Sequence, residues 1–139
     1  MRLKSFSLKN FRGYKDEVGI DMRNLTVFVG RNDIGKSTIL EALDIFFNDK
    51  NAINPIEEAD INKEAVSQGD KETVFTAVFD NLPSSLVIDE AVQTTLKDEM
   101  LLDLNGNLTV VKRYQSAGKL KIFIKANHPG NSECNNLLL

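Results

Sequence analysis

Two hydrophobic periods alternate along this chain of 139 residues. Between residues 2 and 11, Leu3, Phe6, Leu8 and Phe11 stand among polar neighbours and predict a first strand. After a turn through Gly13, Val18, Ile20 and Met22 repeat at every second position and predict another. Residues 25–29 form a β-branched and apolar run of the kind that makes a buried strand. The period then changes, because Ile39, Leu40, Leu43, Phe46 and Phe47 recur at helical spacing. The first third therefore reads as three strands, a loop and a helix.

Residues 48–72 are polar and acidic, with Pro55 and Gly69 as breakers, and predict a surface excursion with one helical turn near residues 60–66. Residues 73–79 predict a strand. Ser84 and Ser85 offer an N-cap for a helix over 86–100, where Val87, Ile88, Ala91, Val92 and Leu96 share one face. The last third predicts antiparallel strands. Residues 101–104 lead into a hairpin turn at Asn105 and Gly106, and Leu108, Val110 and Tyr114 alternate along the return. A third strand follows residues 116–118, with Leu120, Ile122 and Ile124 on one face and Lys121, Phe123 and Lys125 on the other. Cations beside an aromatic ring suit nucleic acid, but a solvated outer sheet face is the preferred reading.

The chemistry is concentrated between the 25–29 run and the helix after it. Gly30, four residues, then Gly35, Lys36 and Ser37 make the G-x-x-x-x-G-K-[ST] phosphate-binding loop, flanked by a strand signal and a helix signal in the required order. The glycines let the backbone approach a polyphosphate, and N–H groups of the loop and first helical turn point at its oxygens. Lys36 supplies a positive charge for the β- and γ-phosphates, and the Ser37 hydroxyl supplies one ligand to Mg²⁺. Thr38 reads as a helix residue rather than a second metal ligand. The candidate site comprises Gly30, Arg31, Asn32, Asp33, Ile34, Gly35, Lys36, Ser37 and Thr38, with ATP and Mg²⁺ as its cofactors.

Charge is segregated along the chain. Residues 1–50 carry nine Lys/Arg against seven Asp/Glu, residues 51–105 three against twelve, and residues 106–139 five against one. An acidic middle repels nucleic acid, so contact with DNA is expected through the ends or through other parts of the protein. No apolar run approaches the ~20 residues of a membrane span, and the N-terminus lacks a signal peptide's apolar segment. Cys134 is the lone cysteine, which excludes an intramolecular disulfide and points to a cytoplasmic protein. His128 sits beside Pro129 and Gly130 in a loop, with little to suggest a metal or catalytic role.

Two linked motifs carry a resemblance. Asn10, Phe11 and Arg12 at the end of the first strand, then Gly30, Asn32, Gly35, Lys36, Ser37, Glu41, Ala42 and Leu43, resemble the N-terminus of ABC-superfamily ATPase heads in the branch of SMC, Rad50, RecF and the OLD nucleases. The wording from Asn32 to Phe47 looks most like the OLD-type ATP-dependent endonucleases of phage defence. The resemblance covers the first 50 residues well and the rest loosely. It implies an α/β fold, a P-loop ABC-type head whose N-terminal lobe has mixed and antiparallel sheet around the phosphate-loop helix. It also implies that Arg12 approaches the nucleotide phosphates, that Asn32 shapes the loop, and that a second ATPase head is the partner. The expected organisation is a nucleotide-binding core over 1–50, an acidic surface insertion over 51–72, and a strand, a helix and antiparallel strands over 73–126.

A complete catalytic site of that family also needs a Walker B Asp-Glu strand, a signature loop and, in OLD-type proteins, a Toprim nuclease domain. Asp89 and Glu90 follow an apolar run, but the run is short and a solvated helix start is the preferred reading. The chain therefore reads as the N-terminal segment of a split ATPase head, weak in nucleotide binding and poor in hydrolysis alone. In the full-length protein, ATP would regulate DNA cleavage by a Toprim domain; the alternative is a clamp or repair ATPase without a nuclease. A small GTPase is disfavoured. Asp103 to Gly106 fits D-x-x-G, yet no N-K-x-D motif follows it.

Overall fold

The computed structural model describes residues 1–30, 35–89, 92–115, 119–127 and 137–138. Its strands are β1 (Arg2–Lys9), β2 (Val18–Asp21), β3 (Glu72–Asp80), β4 (Leu86–Asp89), β5 (Val92–Thr94), β6 (Leu108–Gln115), β7 (Lys119–Ala126) and β8 (Leu137–Leu138). Its helices are α1 (Lys36–Asn48) and the short α2 (Lys63–Ser67), with 3₁₀ turns at Asp49–Asn51 and Glu58–Asp60. Six strands form one sheet in the order β2-β1-β3-β6-β7-β8, and every pairing in it is antiparallel.

The two periods of the sequence meet in the core. In β3 the alternation buries Thr73, Phe75, Ala77 and Phe79. Registers Leu8↔Phe75 and Phe6↔Ala77 place the apolar face of β1 beside them. The apolar stripe of α1, Ile39, Ala42, Ile45 and Phe46, covers that face. Phe75 is the hub, with ring centroids 6.0 Å from Phe6, 5.2 Å from Phe11 and 5.6 Å from Tyr114. The end of α1 has no cation of its own, so β6 supplies one. Lys112 donates to the Phe46 carbonyl at 2.7 Å, satisfying a group the helix leaves open. Burial and the nearby Asp49 carboxylate raise the pKa of Tyr114, the next inward side chain of β6.

A buried polar knot closes the end of β1. Asn10 is fully buried in the left-handed region at φ 57°. Its amide donates to the carbonyls of Asp70 and Glu72, its side-chain oxygen accepts from Asn62 N–H, and its own carbonyl accepts from the Thr73 hydroxyl. Asn10→Ala removes these bonds and leaves buried donors and acceptors unpaired, so a loss of roughly 2–4 kcal/mol is expected in urea melts. A loss under about 0.5 kcal/mol would mean that water replaces the knot.

The structure corrects three expectations. Residues 25–29 form no strand, and Leu25, Val27 and Val29 are 81%, 68% and 88% exposed. Their pattern suits a buried strand, but no described strand lies beside them to pair with. Residues 86–100 form no helix. They are a β4–β5 hairpin with Leu86 opposite Thr94 and Val87 opposite Gln93, followed by a turn. The β-branched residues Val87, Ile88, Val92, Thr94 and Thr95 favour the extended chain over the amphipathic coincidence that suggested a helix. Asp89 thus ends a strand rather than opening a helix, and Glu90 lies outside the described residues.

Residues 101–104 also form no strand, because β6 takes β3 and β7 as its neighbours. The turn at Asn105 and Gly106 is present and built around Asp103, whose carboxylate accepts from the N–H groups of Asn105 and Asn107 and from the Thr109 hydroxyl. Partial burial pushes the Asp103 pKa up, but these donors outweigh it and hold the carboxyl below its ordinary 3.8. A depressed folded pKa gives stability that is whole above about pH 4 and lost as pH falls through the folded value. Asp103→Asn is therefore expected to flatten the acid limb of urea midpoint against pH. An unchanged limb would show that the Asp103 turn makes no acid-linked contribution.

Candidate functional site

The phosphate-loop signal falls at the head of α1. Gly35 is its N-cap residue in the left-handed region at φ 78°, with no side-chain cap and no acid in the first turn. An uncapped, acid-free helix start leaves its first N–H groups and the positive end of the helix dipole to a ligand. Lys36 turns back over the loop, its ammonium donating to the Gly30 carbonyl. Ser37 and Thr38 occupy the first turn. Arg31, Asn32, Asp33 and Ile34 lie outside the described residues. The set fits a nucleoside triphosphate with Mg²⁺, since a cradle that a Cβ would fill, an ammonium and a hydroxyl all stand at one helix end.

Arg12 reaches the same region from the opposite side. It occupies a tight turn in which Phe11 and Tyr14 exchange backbone hydrogen bonds of 2.8 and 2.9 Å. At φ 50° it takes a conformation unusual for a side chain, held by its N–H on the Asp60 carbonyl at 2.6 Å and by Asn62 on its own carbonyl. Its guanidinium lies 2.7 Å from Glu41 on α1 and donates to Asp60 at 2.8 Å. Burial would lower the Arg12 pKa, but the two carboxylates more than offset it and the net shift is upward. Arg12 is therefore a fixed cation one helical turn from Ser37, through Glu41.

Sequence reasoning brought Arg12, Gly35, Lys36, Ser37 and Thr38 together at one end of α1. It missed Asp60, Asn62 and Tyr14, and matched Glu41 only as part of a motif. Asp60 and Asn62 lie in the polar excursion, where no period marks them. Asn62 also caps α2 by accepting from Glu64 and Ala65 N–H, a cap signal that the sequence does show.

The sheet's opposite face carries other features. A cleft of about 840 Å³ there is lined by Lys9, Val74, Thr76, Val111 and Arg113, among others, and Gly30, Gly35, Lys36 and Ser37 are not in its lining. Arg113 stacks 5.2 Å from the Phe123 ring centroid, between the Lys121 and Lys125 positions of β7. His128 and Cys134 lie outside the described residues. Among those residues no cluster of His, Cys, Asp or Glu could hold a metal, and no helix is long and apolar enough to cross a membrane.

Known proteins resemble the chain in sequence and in fold. The chain is 29% identical over 120 residues to the DNA replication and repair protein RecF of Lactococcus lactis subsp. lactis (strain IL1403), covering 80% of this chain and 32% of that protein. The RecF protein of Lactococcus lactis subsp. cremoris (strain MG1363) is 27% identical with the same coverage. The chain thus spans about a third of the length of these relatives. Among solved structures, one from work on ATP-driven dimerization and DNA stimulated activation of SMC ATPases superposes with a TM-score of 0.63 at 19% identity, covering 97% of this chain and 76% of that one. The SMC head domain from Thermotoga maritima gives 0.53 at 19% identity, covering 91% and 38%. These likenesses assign the fold, that of the N-terminal lobe of an α/β P-loop ATPase head. The family model described as AAA ATPase domain matches residues 1–139, and the chain belongs to that family.

Proposed function

We propose that this chain is the nucleotide-binding part of a larger ATPase head that binds ATP and Mg²⁺ and works on DNA with a second head. The observation that carries the reading is the head of α1, where Gly35, Lys36 and Ser37 meet at an uncapped, acid-free helix start beside Arg12. Gly30, Gly35 and the first-turn N–H groups hold the phosphates, Lys36 neutralises them, and Ser37 is the Mg²⁺ ligand. Held by the Ser37 hydroxyl, Mg²⁺ would supply positive charge to offset that on the phosphates.

Completion of the head by further chain is supported from the other side of the loop. Leu25, Val27 and Val29 carry a buried-strand pattern yet stand exposed, and Leu40 and Phe47 are exposed on the outer face of α1. Apolar residues so placed on both sides of the phosphate loop fit a surface that a further sheet and its strands cover. Walker B, signature and any nuclease residues then belong to that remainder, and the segment alone turns ATP over poorly.

The RecF and SMC likenesses favour a clamp or repair ATPase for the whole protein. The wording of residues 32–47 favours the second reading, in which ATP regulates an OLD-type Toprim nuclease in antiphage defence. Incubating the full-length protein with plasmid DNA and Mg-ATP separates them. ATP turnover stimulated by DNA that stays intact supports the clamp or repair ATPase. ATP-dependent strand cleavage, lost in Lys36→Ala, establishes the nuclease instead.

A further inference from the structure

From the placement of one aromatic ring, we infer that the Tyr14 phenol is a phosphate-binding donor of the nucleotide site, an assignment that rests on the reading of α1 as a nucleotide site. Tyr14 closes the turn that carries Arg12, and its backbone is fixed on both sides by the hydrogen bonds to Phe11. Its half-buried ring packs against the core and ends on Gly35. A Cβ at position 35 would come within 2.5 Å of the phenol oxygen, 3.0 Å of Cζ and 3.2 Å of Cε2. The hydroxyl therefore stands where the phosphate loop enters α1.

Packing alone does not require that hydroxyl. Phenylalanine would fill the same volume, and a tyrosine oxygen in a half-buried place ordinarily finds a partner. Tyr14 has no side-chain hydrogen bond among the described residues, and its phenol stands against Gly35 at the open first turn of α1, which no side chain caps. The one carboxylate in the first two turns of α1, Glu41, is already taken by Arg12. The open N–H groups and dipole of the helix start favour an anionic acceptor at this place. An oxygen of a nucleotide's phosphate chain has that chemistry, and it is what the loop glycines make room for.

Equilibrium binding of ATP and of inorganic triphosphate to the full-length protein, to Tyr14→Phe and to Lys36→Ala tests the assignment. Tyr14→Phe keeps the ring, so it is expected to melt with the wild type in the absence of ligand. It is expected to weaken ATP and triphosphate by the same factor, roughly tenfold for one hydrogen bond to a charged acceptor. Affinity within twofold of wild type, with binding still lost in Lys36→Ala, leaves the nucleotide site standing and reduces Tyr14 to a packing wedge. Loss of ATP affinity with triphosphate unchanged moves the hydroxyl to the nucleoside and overturns the phosphate assignment. Wild-type affinity in Lys36→Ala overturns the nucleotide site and the inference together.

Discussion

Gly35→Ala is expected to lose both nucleotide binding and stability. At φ 78° a Cβ carries the steric cost of the left-handed region, and at this position it also meets the Tyr14 phenol. The first effect costs about 1–2 kcal/mol. The second forces either the Tyr14 ring or the start of α1 to move, and the backbone around Tyr14 is tied into the Phe11 turn. The first-turn N–H groups then no longer converge, so ATP affinity falls by at least tenfold while the melting temperature drops. Tyr14→Ala costs stability of its own because the ring packs on the core, so the clash is read from a cycle. In the Tyr14→Ala parent, Gly35→Ala should cost less stability than in the wild type, the backbone strain alone, and affinity should stay low. No added cost in that parent would show that the left-handed conformation is unimportant; the full wild-type cost would show that the phenol contact is.

Phe75→Ala is expected to be the most destabilising single truncation in the core. The side chain is fully buried and touches rings from β1, from the Asn10–Tyr14 turn and from β6. Removing it leaves a cavity between the sheet and α1 that three aromatic neighbours cannot all fill, at a cost of about 3–5 kcal/mol. Domains are stable by only about 5–15 kcal/mol, so much of the margin disappears. Phe75→Leu keeps most of the volume and should cost under half as much. Urea midpoints decide it: a Phe75→Ala loss below about 1 kcal/mol would mean that α1 does not pack on this ring.

Local periods carried much of the fold. β1, β3, β7 and α1 follow from residues two or three to four positions apart; β1, β3 and α1 pack the face that the period marks, whereas Ile122 of β7 stands exposed. The hairpin β4–β5 was hidden because Val87, Ile88, Ala91, Val92 and Leu96 satisfy a helical stripe while most of them prefer the extended chain. Residues 25–29 illustrate a different limit. Their pattern records a need for partners, and a strand forms only where partners are present.

The candidate phosphate-loop motif was legible because it is local, with Gly35, Lys36 and Ser37 adjacent in sequence. Its supports were not. Asp60 and Asn62 lie about fifty residues from Arg12, and Tyr14 meets Gly35 across twenty-one, so no window of sequence contains both members of either contact. Asn10 was legible as a motif residue, but its reason is visible only in the four bonds that tie β1 to β3 and to the α2 cap.

The most direct test is the affinity of Mg-ATP for the full-length protein and for Lys36→Ala, in samples that melt together without nucleotide. The expected result is saturable binding by the wild type and a loss of about a hundredfold or more in the variant, the scale for removing a charged partner from a phosphate. Equal affinity in the two proteins, or none in the wild type, would contradict a nucleotide site at the head of α1.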